Sequence, residues 1–354
     1  MAIDEDKLND LIGRFVTDFG AALHAATVVI GDKLGLYRTL AERGPSTAAE
    51  LARAAGYDER LVEEWLRAQF VSGYCEYDAV TSAFSLTDEQ TAVLADDSTP
   101  AFLVGAMTIA AAVYKDEERI REAFRNGHGF GWNAHCHDLF HGTERLFKPG
   151  YLGNLVTSWI PALDGVDAKL RAGANVADIG CGHGASTLLL AQAYPDSTIV
   201  GFDYHVESIE EARKRAADAG VADRVRFEVA SAQDFPLVPG GYDLVCIFDA
   251  LHDMGDPVGG AEHIRASLAD GGTWLLVEPA TAGPLEENVN PVSRVFYSAS
   301  VGICTPAAEA QAGGFALGNQ VTDERWHELL GQAGFGTFRR ATETPFNRVF
   351  EVKV

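Results

Sequence analysis

His252 and Asp253 stand side by side in FDALHDMGD, residues 248–256, directly after an apolar run that leads into Asp249. A free imidazole titrates at about 6.5, so a histidine at a strand end can take a proton from a bound nucleophile at neutral pH. Asp253 reads as a brace for that imidazole or as a helix cap. A second chemistry-bearing group lies upstream in VADIGCGHGAST, residues 176–187, where Asp178 precedes Gly180, Gly182 and Gly184. Glycines at this spacing, after a strand and before a helix, let a ligand approach the backbone closely. The string also satisfies the dinucleotide pattern through Gly180, Gly182 and Ala185. Asp178 argues against that ligand, because a carboxylate beside the turn repels a pyrophosphate and attracts an ammonium group. Asp203, which ends the next apolar run, is placed to accept hydrogen bonds from a ribose diol.

These residues need a scaffold that brings strand ends together. From Asn175 the rhythm is strand, turn, helix, with NVADI, TIVGFD, RVRFEV, DLVCIF and TWLLVE as short apolar or β-branched runs. This is the doubly wound α/β pattern. FGTFRRA and RVFEVKV follow near the end of the chain, too close together for a parallel crossover, so they form an antiparallel hairpin. Residues 1–98 read as helices and then a small hairpin. Leu8, Leu11, Ile12, Phe15, Val16 and Phe19 make one apolar stripe. Thr47 with Glu50 and Thr87 with Gln90 are capping-box patterns, Asp58 caps the helix between them, and YCEYDAVTSAFSLTD is the wing. The expected organisation is therefore a winged-helix domain over 1–98, a helical linker and substrate lid over 99–165, and an α/β ligand-binding domain over 166–354. The linker contains GHGFGWNAHCHDLFHG. His137 and His141 share a helical face there, but no second pair of matching spacing follows, so no resident metal is expected.

Composition narrows the partners. The chain has 354 residues, enough for about two domains, and a formal net charge of −23. Polyanions are repelled by such a surface, which excludes nucleic acid and anionic membrane as default partners. Residues 1–98 hold 8 basic against 18 acidic residues, net −10, and the would-be recognition helix carries Asp58, Glu59, Glu63 and Glu64 against Arg60 and Arg67. The apolar stripe of the first helix is better used against a second subunit. The five cysteines are scattered without a CxxC pair, the pattern of reduced thiols. The N-terminus lacks the basic start of a signal peptide, and the run from Ala21 to Gly31 is too short to span a membrane. A soluble, cytoplasmic protein is expected.

A ligand with a ribose, no phosphate and a cationic amino-acid end is S-adenosylmethionine. At this point the sequence resembles a family. The DxGxGxG string after strand one, the acid ending strand two and the closing antiparallel hairpin resemble class I S-adenosylmethionine-dependent methyltransferases over about residues 166–354. The resemblance implies a Rossmann-like seven-stranded sheet with the cofactor above the carboxyl ends of strands one to four. It assigns Asp178, Gly180, Gly182 and Gly184 to the methionine end, Asp203 to the ribose and Tyr204 to the adenine face. After strand three it points to Ser231, Ala232 and Gln233, with Gln233 or Asp234 standing in for the family's adenine-binding acid. Phe248 and Asp249 complete the cofactor set.

LHD after strand four is similar to the His-Asp block of small-molecule O-methyltransferases, the plant phenolic and bacterial antibiotic-tailoring enzymes, which also carry a dimerising winged-helix domain. This resemblance implies His252 as general base, with Asp253 beside it and Glu278, Glu286 or Glu287 orienting it. Met254 replaces the family's usual aromatic. The substrate walls are expected from the lid and from residues 279–322, with Trp132, His137, Phe147, Tyr151, Arg294, Tyr297 and Asn319 as candidates. Two other readings share the sequence: a winged-helix regulator that senses S-adenosylmethionine, and a methyltransferase-fold enzyme that uses the cofactor without methyl transfer.

Overall fold

Side-chain caps start several of the N-terminal helices. The computed structural model describes residues 3–354 and divides into two units, 1–114 with 137–150 and 115–136 with 151–354. In the first, Asp4 accepts from the Lys7 N–H to open α1 (Glu5–Lys33), and α2 (Leu36–Arg43) follows. Capping boxes of Thr47 with Glu50 and of Thr87 with Gln90 open α3 (Ala48–Ala55) and α5 (Asp88–Leu94). Between these, Asp58 caps α4 (Glu59–Val71). Each cap satisfies an amide that the helix itself leaves unpaired. The antiparallel pair β1 (Glu76–Asp78) and β2 (Ala83–Ser85) is the wing. Tyr37, Leu40, Leu51, Leu66 and Phe84 form the core with Trp65, whose indole lies where a Cβ on Gly31 would have to go.

The stretch 99–165 is distributed over both units. It contains α6 (Gly105–Lys115), α7 (Glu117–Asn126) and α8 (His137–Asn154). Residues 99–114 and 137–150 belong with the winged-helix elements, and 115–136 and 151–165 with the sheet.

The second unit runs α9 (Val166–Ala172), β3 (Asn175–Ile179), α10 (Ala185–Ala193), β4 (Thr198–Asp203), α11 (Val206–Asp218), β5 (Val225–Val229), β6 (Tyr242–Phe248), α12 (Pro257–Ser267) and β7 (Leu268–Pro279). It continues with α13 (Pro291–Ala299), α14 (Thr305–Glu309), α15 (Asp323–Gln332), β8 (Thr337–Glu343) and β9 (Asn347–Lys353). The seven strands are ordered β5-β4-β3-β6-β7-β9-β8. Strands β3 to β7 pair in parallel, while β9 is antiparallel to both β7 and β8, giving the expected closing hairpin. Successive side chains alternate between two cores: Val176, Leu244 and Leu275 face one, and Ala177, Val245 and Leu276 the other. Burial on both faces is why these strands read as unbroken apolar runs. Strand order reverses between β3 and β6, and open α/β sheets bind ligands beyond the carboxyl ends of their strands at such a point.

Candidate active site

Both motifs meet at that reversal. Gly180 follows β3, Ala250 follows β6, and a Cβ on Gly180 would lie 3.2 Å from that of Ala250. Asp178 is wholly buried under the glycine turn. Its Oδ2 accepts from Ser186 Oγ at 2.7 Å and Thr187 Oγ1 at 2.6 Å, whereas its Oδ1 is buried without a partner. Burial pushes the Asp178 carboxyl up to about 6, against the two hydroxyl hydrogen bonds that hold it down. All three motif glycines have positive φ, but they differ in what surrounds them. A Cβ on Gly184 would strike the Phe227 ring at 2.6 Å, so Gly184 serves packing. A Cβ on Gly182 would meet nothing within 4 Å, so Gly182 faces open space.

The Gly182 N–H donates to Asp203 Oδ2 and the His205 N–H to Asp203 Oδ1, both at 2.9 Å. Burial raises the Asp203 pKa despite these amides. Tyr204 beside it is exposed. After β5, the Ser231 N–H and Oγ both donate to Asp234 Oδ1 at 2.7 Å, Ala232 is buried, and Gln233 Nε2 donates to the Asp256 carbonyl at 3.1 Å. Asp234 is thus the brace of its own loop. Phe248 lies 5.2 Å from the Tyr151 ring and 6.2 Å from Trp159, centroid to centroid. Asp249 sits at φ 50°, a left-handed conformation unusual for a non-glycine residue, held by Asn347 Nδ2 at 2.9 and 3.0 Å from its two oxygens. The unpaired buried carboxylate oxygen, the open glycine and a second, partly buried carboxylate at Asp203 suit a ligand with a cationic end and a diol. These residues therefore fit S-adenosylmethionine.

His252 lies in a single 3₁₀ turn after β6 and is 3% exposed. Its Nδ1 is 2.7 Å from Glu278 Oε2, and Glu278 Oε1 accepts from the Leu251 N–H at 3.2 Å. Glu278 is fully buried near the end of β7. Of the three glutamates offered by the sequence, it alone reaches the imidazole; Glu286 and Glu287 are exposed in a turn. A carboxylate at Nδ1 fixes the proton there and leaves the Nε2 lone pair for chemistry. Nε2 is 3.1 Å from Asp253 Oδ1, but that oxygen accepts no aligned hydrogen bond. Burial opposes the imidazolium, yet Glu278 and Asp253 outweigh it and raise the His252 pKa well above its ordinary value.

Three substrate candidates adjoin this cluster or the Phe248 wall. Trp132 Nε1 donates to Asp253 Oδ2 at 3.1 Å, Asn319 Nδ2 lies 3.5 Å from Cys304 Sγ, and Tyr151 packs on Phe248. Arg294 is exposed on α13 and Tyr297 half-buried. His137 and Phe147 belong to the other unit. In the histidine-rich stretch it is His135 that has a buried acid, Asp116 Oδ2 at 2.7 Å from its Nδ1. Cys304, Asn347 and Gln311, whose Nε2 donates to the Asp253 carbonyl at 2.8 Å, escaped the sequence reading. Cys304 showed there only as one of five scattered thiols, all of which are free.

Residues 170–334 match a family model described as a methyltransferase domain, and residues 21–96 match one described as the Rv2258c-like winged HTH domain. The chain thus carries a methyltransferase domain, preceded in sequence by a winged helix-turn-helix domain. Among curated relatives, it is 35% identical over 130 residues to the 27-O-demethylrifamycin SV methyltransferase of Amycolatopsis mediterranei, covering 36% of this chain and 47% of that one. The first curated relatives are matched over only 27% and 47% of their own lengths. Solved structures match over nearly the whole chain. A putative O-methyltransferase from Nostoc punctiforme superposes with a TM-score of 0.72 at 18% identity, over 96% of this chain and 98% of that one. Human N-acetylserotonin methyltransferase in complex with S-adenosylmethionine gives 0.68 at 18% identity, over 100% and 99%. At these identities the likeness is one of fold.

Proposed function

We propose that the protein methylates a hydroxyl of a small molecule, with S-adenosylmethionine as methyl donor and His252 as general base. The observation that carries this reading is the buried Glu278–His252 contact of 2.7 Å, which presets the imidazole with its Nε2 available. Asp178 and the open face at Gly182 would hold the amino-acid end of the cofactor, Asp203 its ribose and Tyr204 its adenine. Ser231 Oγ and the Ala232 backbone would line the adenine edge. When bound, the cofactor supplies an electrophilic methyl group on a sulfonium. An alcohol or phenol is a poor nucleophile until it loses its proton. His252 Nε2 takes that proton, Glu278 stabilises the imidazolium that results, and the proton then leaves to solvent. Trp132 and Asn319, both tied into the cluster around His252, bound the acceptor, and Tyr151 walls the side of Phe248. Asp253 steadies the imidazole and anchors Trp132. Mitomycin 7-O-methyltransferase and CalO1, a methyltransferase in calicheamicin biosynthesis, share the fold at TM-scores of 0.65, which supports a natural-product acceptor.

The test is transfer of a labelled methyl group to a panel of phenols and alcohols. His252→Ala should keep calorimetric cofactor binding and lose about 10²–10⁴ in turnover; unchanged turnover would remove His252 from the role. Because the folded protein raises the His252 pKa, the base-competent neutral form grows as pH rises through a value above about 6.5. Turnover should therefore rise with pH there. Glu278→Gln removes one of the raising charges, so this limb should move to lower pH while the plateau falls.

A further inference from the structure

Beyond methyl transfer, the cluster at His252 has the composition of a metal site. His252, Asp253 and Cys304 each offer a ligand atom, and the three atoms lie within 4.8 Å of one another, all on buried residues. Asp253 is 8% exposed, and its Oδ1 is buried without a hydrogen-bond partner while its Oδ2 is engaged by Trp132. The imidazole already has the carboxylate partner at Nδ1 that metal-binding histidines use to orient Nε2. Cys304 ends a π-helical turn, Ser300–Cys304, and receives the Asn319 amide.

We propose that His252 Nε2, Asp253 Oδ1 and Cys304 Sγ form a site for a borderline-soft divalent cation of the zinc class, whose occupancy switches the enzyme off by taking the lone pair of the base. The donor set of nitrogen, oxygen and sulfur selects zinc over magnesium or calcium. Bonds of about 2.0–2.3 Å place ligand atoms about 3.5 Å apart, which small side-chain rotations supply. Binding forms metal–nitrogen, metal–oxygen and metal–sulfur bonds and breaks the Cys304 S–H bond. The thiol proton leaves to solvent, as does any proton on Nε2, and nothing is oxidised or reduced. The thiolate and the Asp253 carboxylate together neutralise the dication, which makes the occupied site tolerable in a buried setting. The cation site rests on this geometry alone, and only its inhibitory consequence rests on the proposed reaction.

The full chain, stripped of metal, is titrated with Co²⁺ and followed by absorption spectroscopy. One equivalent should give a thiolate-to-cobalt charge-transfer band that Zn²⁺ displaces; no such band at one equivalent overturns the proposal. Cys304→Ser should abolish the band and weaken Zn²⁺ in equilibrium dialysis by about tenfold or more; a surviving band would assign the thiolate to another cysteine and overturn it equally. Should that variant fail to fold, His252→Ala with Cys304 intact must weaken Zn²⁺ by a similar factor, and undiminished binding sinks the site. A bound, displaceable Co²⁺ with no effect of Zn²⁺ on turnover would leave the site standing and count against His252 as the base.

Discussion

Asp178 meets opposing demands. Its place under the glycine turn suits a cationic ligand, but the same burial makes its charge unfavourable in the ligand-free protein. The unfolded carboxyl titrates at about 3.9 and the folded one is pushed up to about 6. Between those values the folded state holds a proton that the unfolded state has released, so stability falls as pH rises through this window and stays lower above it. A shift of this size corresponds to about 3 kcal/mol at most. Asp178→Asn keeps an acceptor for the Ser186 and Thr187 hydroxyls and cannot ionise. It should melt at higher temperature than the parent at pH 7.5, with the gap closing by pH 4, and should lose calorimetric affinity for S-adenosylmethionine. A variant that melts lower at pH 7.5 would show that Asp178 carries no such strain. His252, Asp178 and Asp203 were legible in the sequence because each sits at a strand end next to a recognisable turn. Glu278 was legible only as one of three acids. Cys304, Gln311 and Asn347 were not, since their partners Asn319, Asp253 and Asp249 lie 15, 58 and 98 residues away.

At the level of elements, the three motif glycines separate into two jobs that the sequence pattern merges. Gly184→Ala drives a methyl group into the Phe227 ring and holds it at φ 80°, which should cost about 2–4 kcal/mol. Gly182→Ala enters open space at φ 52° and should cost only about 1–2 kcal/mol, yet its methyl occupies the face proposed for the cofactor. Thermal melts should therefore single out Gly184→Ala, and cofactor titrations should single out Gly182→Ala by about tenfold or more in Kd. The opposite ranking would place the ligand elsewhere. The parallel strands and closing hairpin could be read directly, because burial on both faces leaves continuous apolar runs and a half-dozen residues permit only a hairpin. The 99–165 stretch could not. Its three helices carry ordinary helical signals, and which body each joins depends on close backbone approaches such as Gly105 against Gly142, which no periodicity encodes.

For the whole molecule the question is what the winged-helix domain does. The match to a winged HTH domain raises DNA as a partner, but Arg60 and Arg67 on α4 are paired with Glu63 and Glu64. Together with a net charge of −23, this leaves few cations to displace phosphate counterions. Among the described residues no single helix is long and apolar enough to cross a membrane. What the domain does offer is α1. Leu8, Leu11, Ile12, Phe15, Val16, Phe19, Leu23 and Ile30 are all exposed on it, while only Val28 and Gly31 of its 29 residues are buried. An apolar stripe along a helix about 40 Å long exceeds what a monomer ordinarily exposes to water. A second copy of the same helix supplies an equal and self-complementary stripe. The protein should therefore sediment as a dimer at micromolar concentration, and Leu11→Glu with Phe15→Glu should convert it to a monomer whose thermal melt is little changed, because neither side chain is in the core. Sedimentation of the parent as a monomer, or of the double variant still as a dimer, would move the interface off α1. A gel shift at low salt supplies the other arm: retained binding of DNA fragments by the monomeric variant would return the domain to nucleic acid despite its charge.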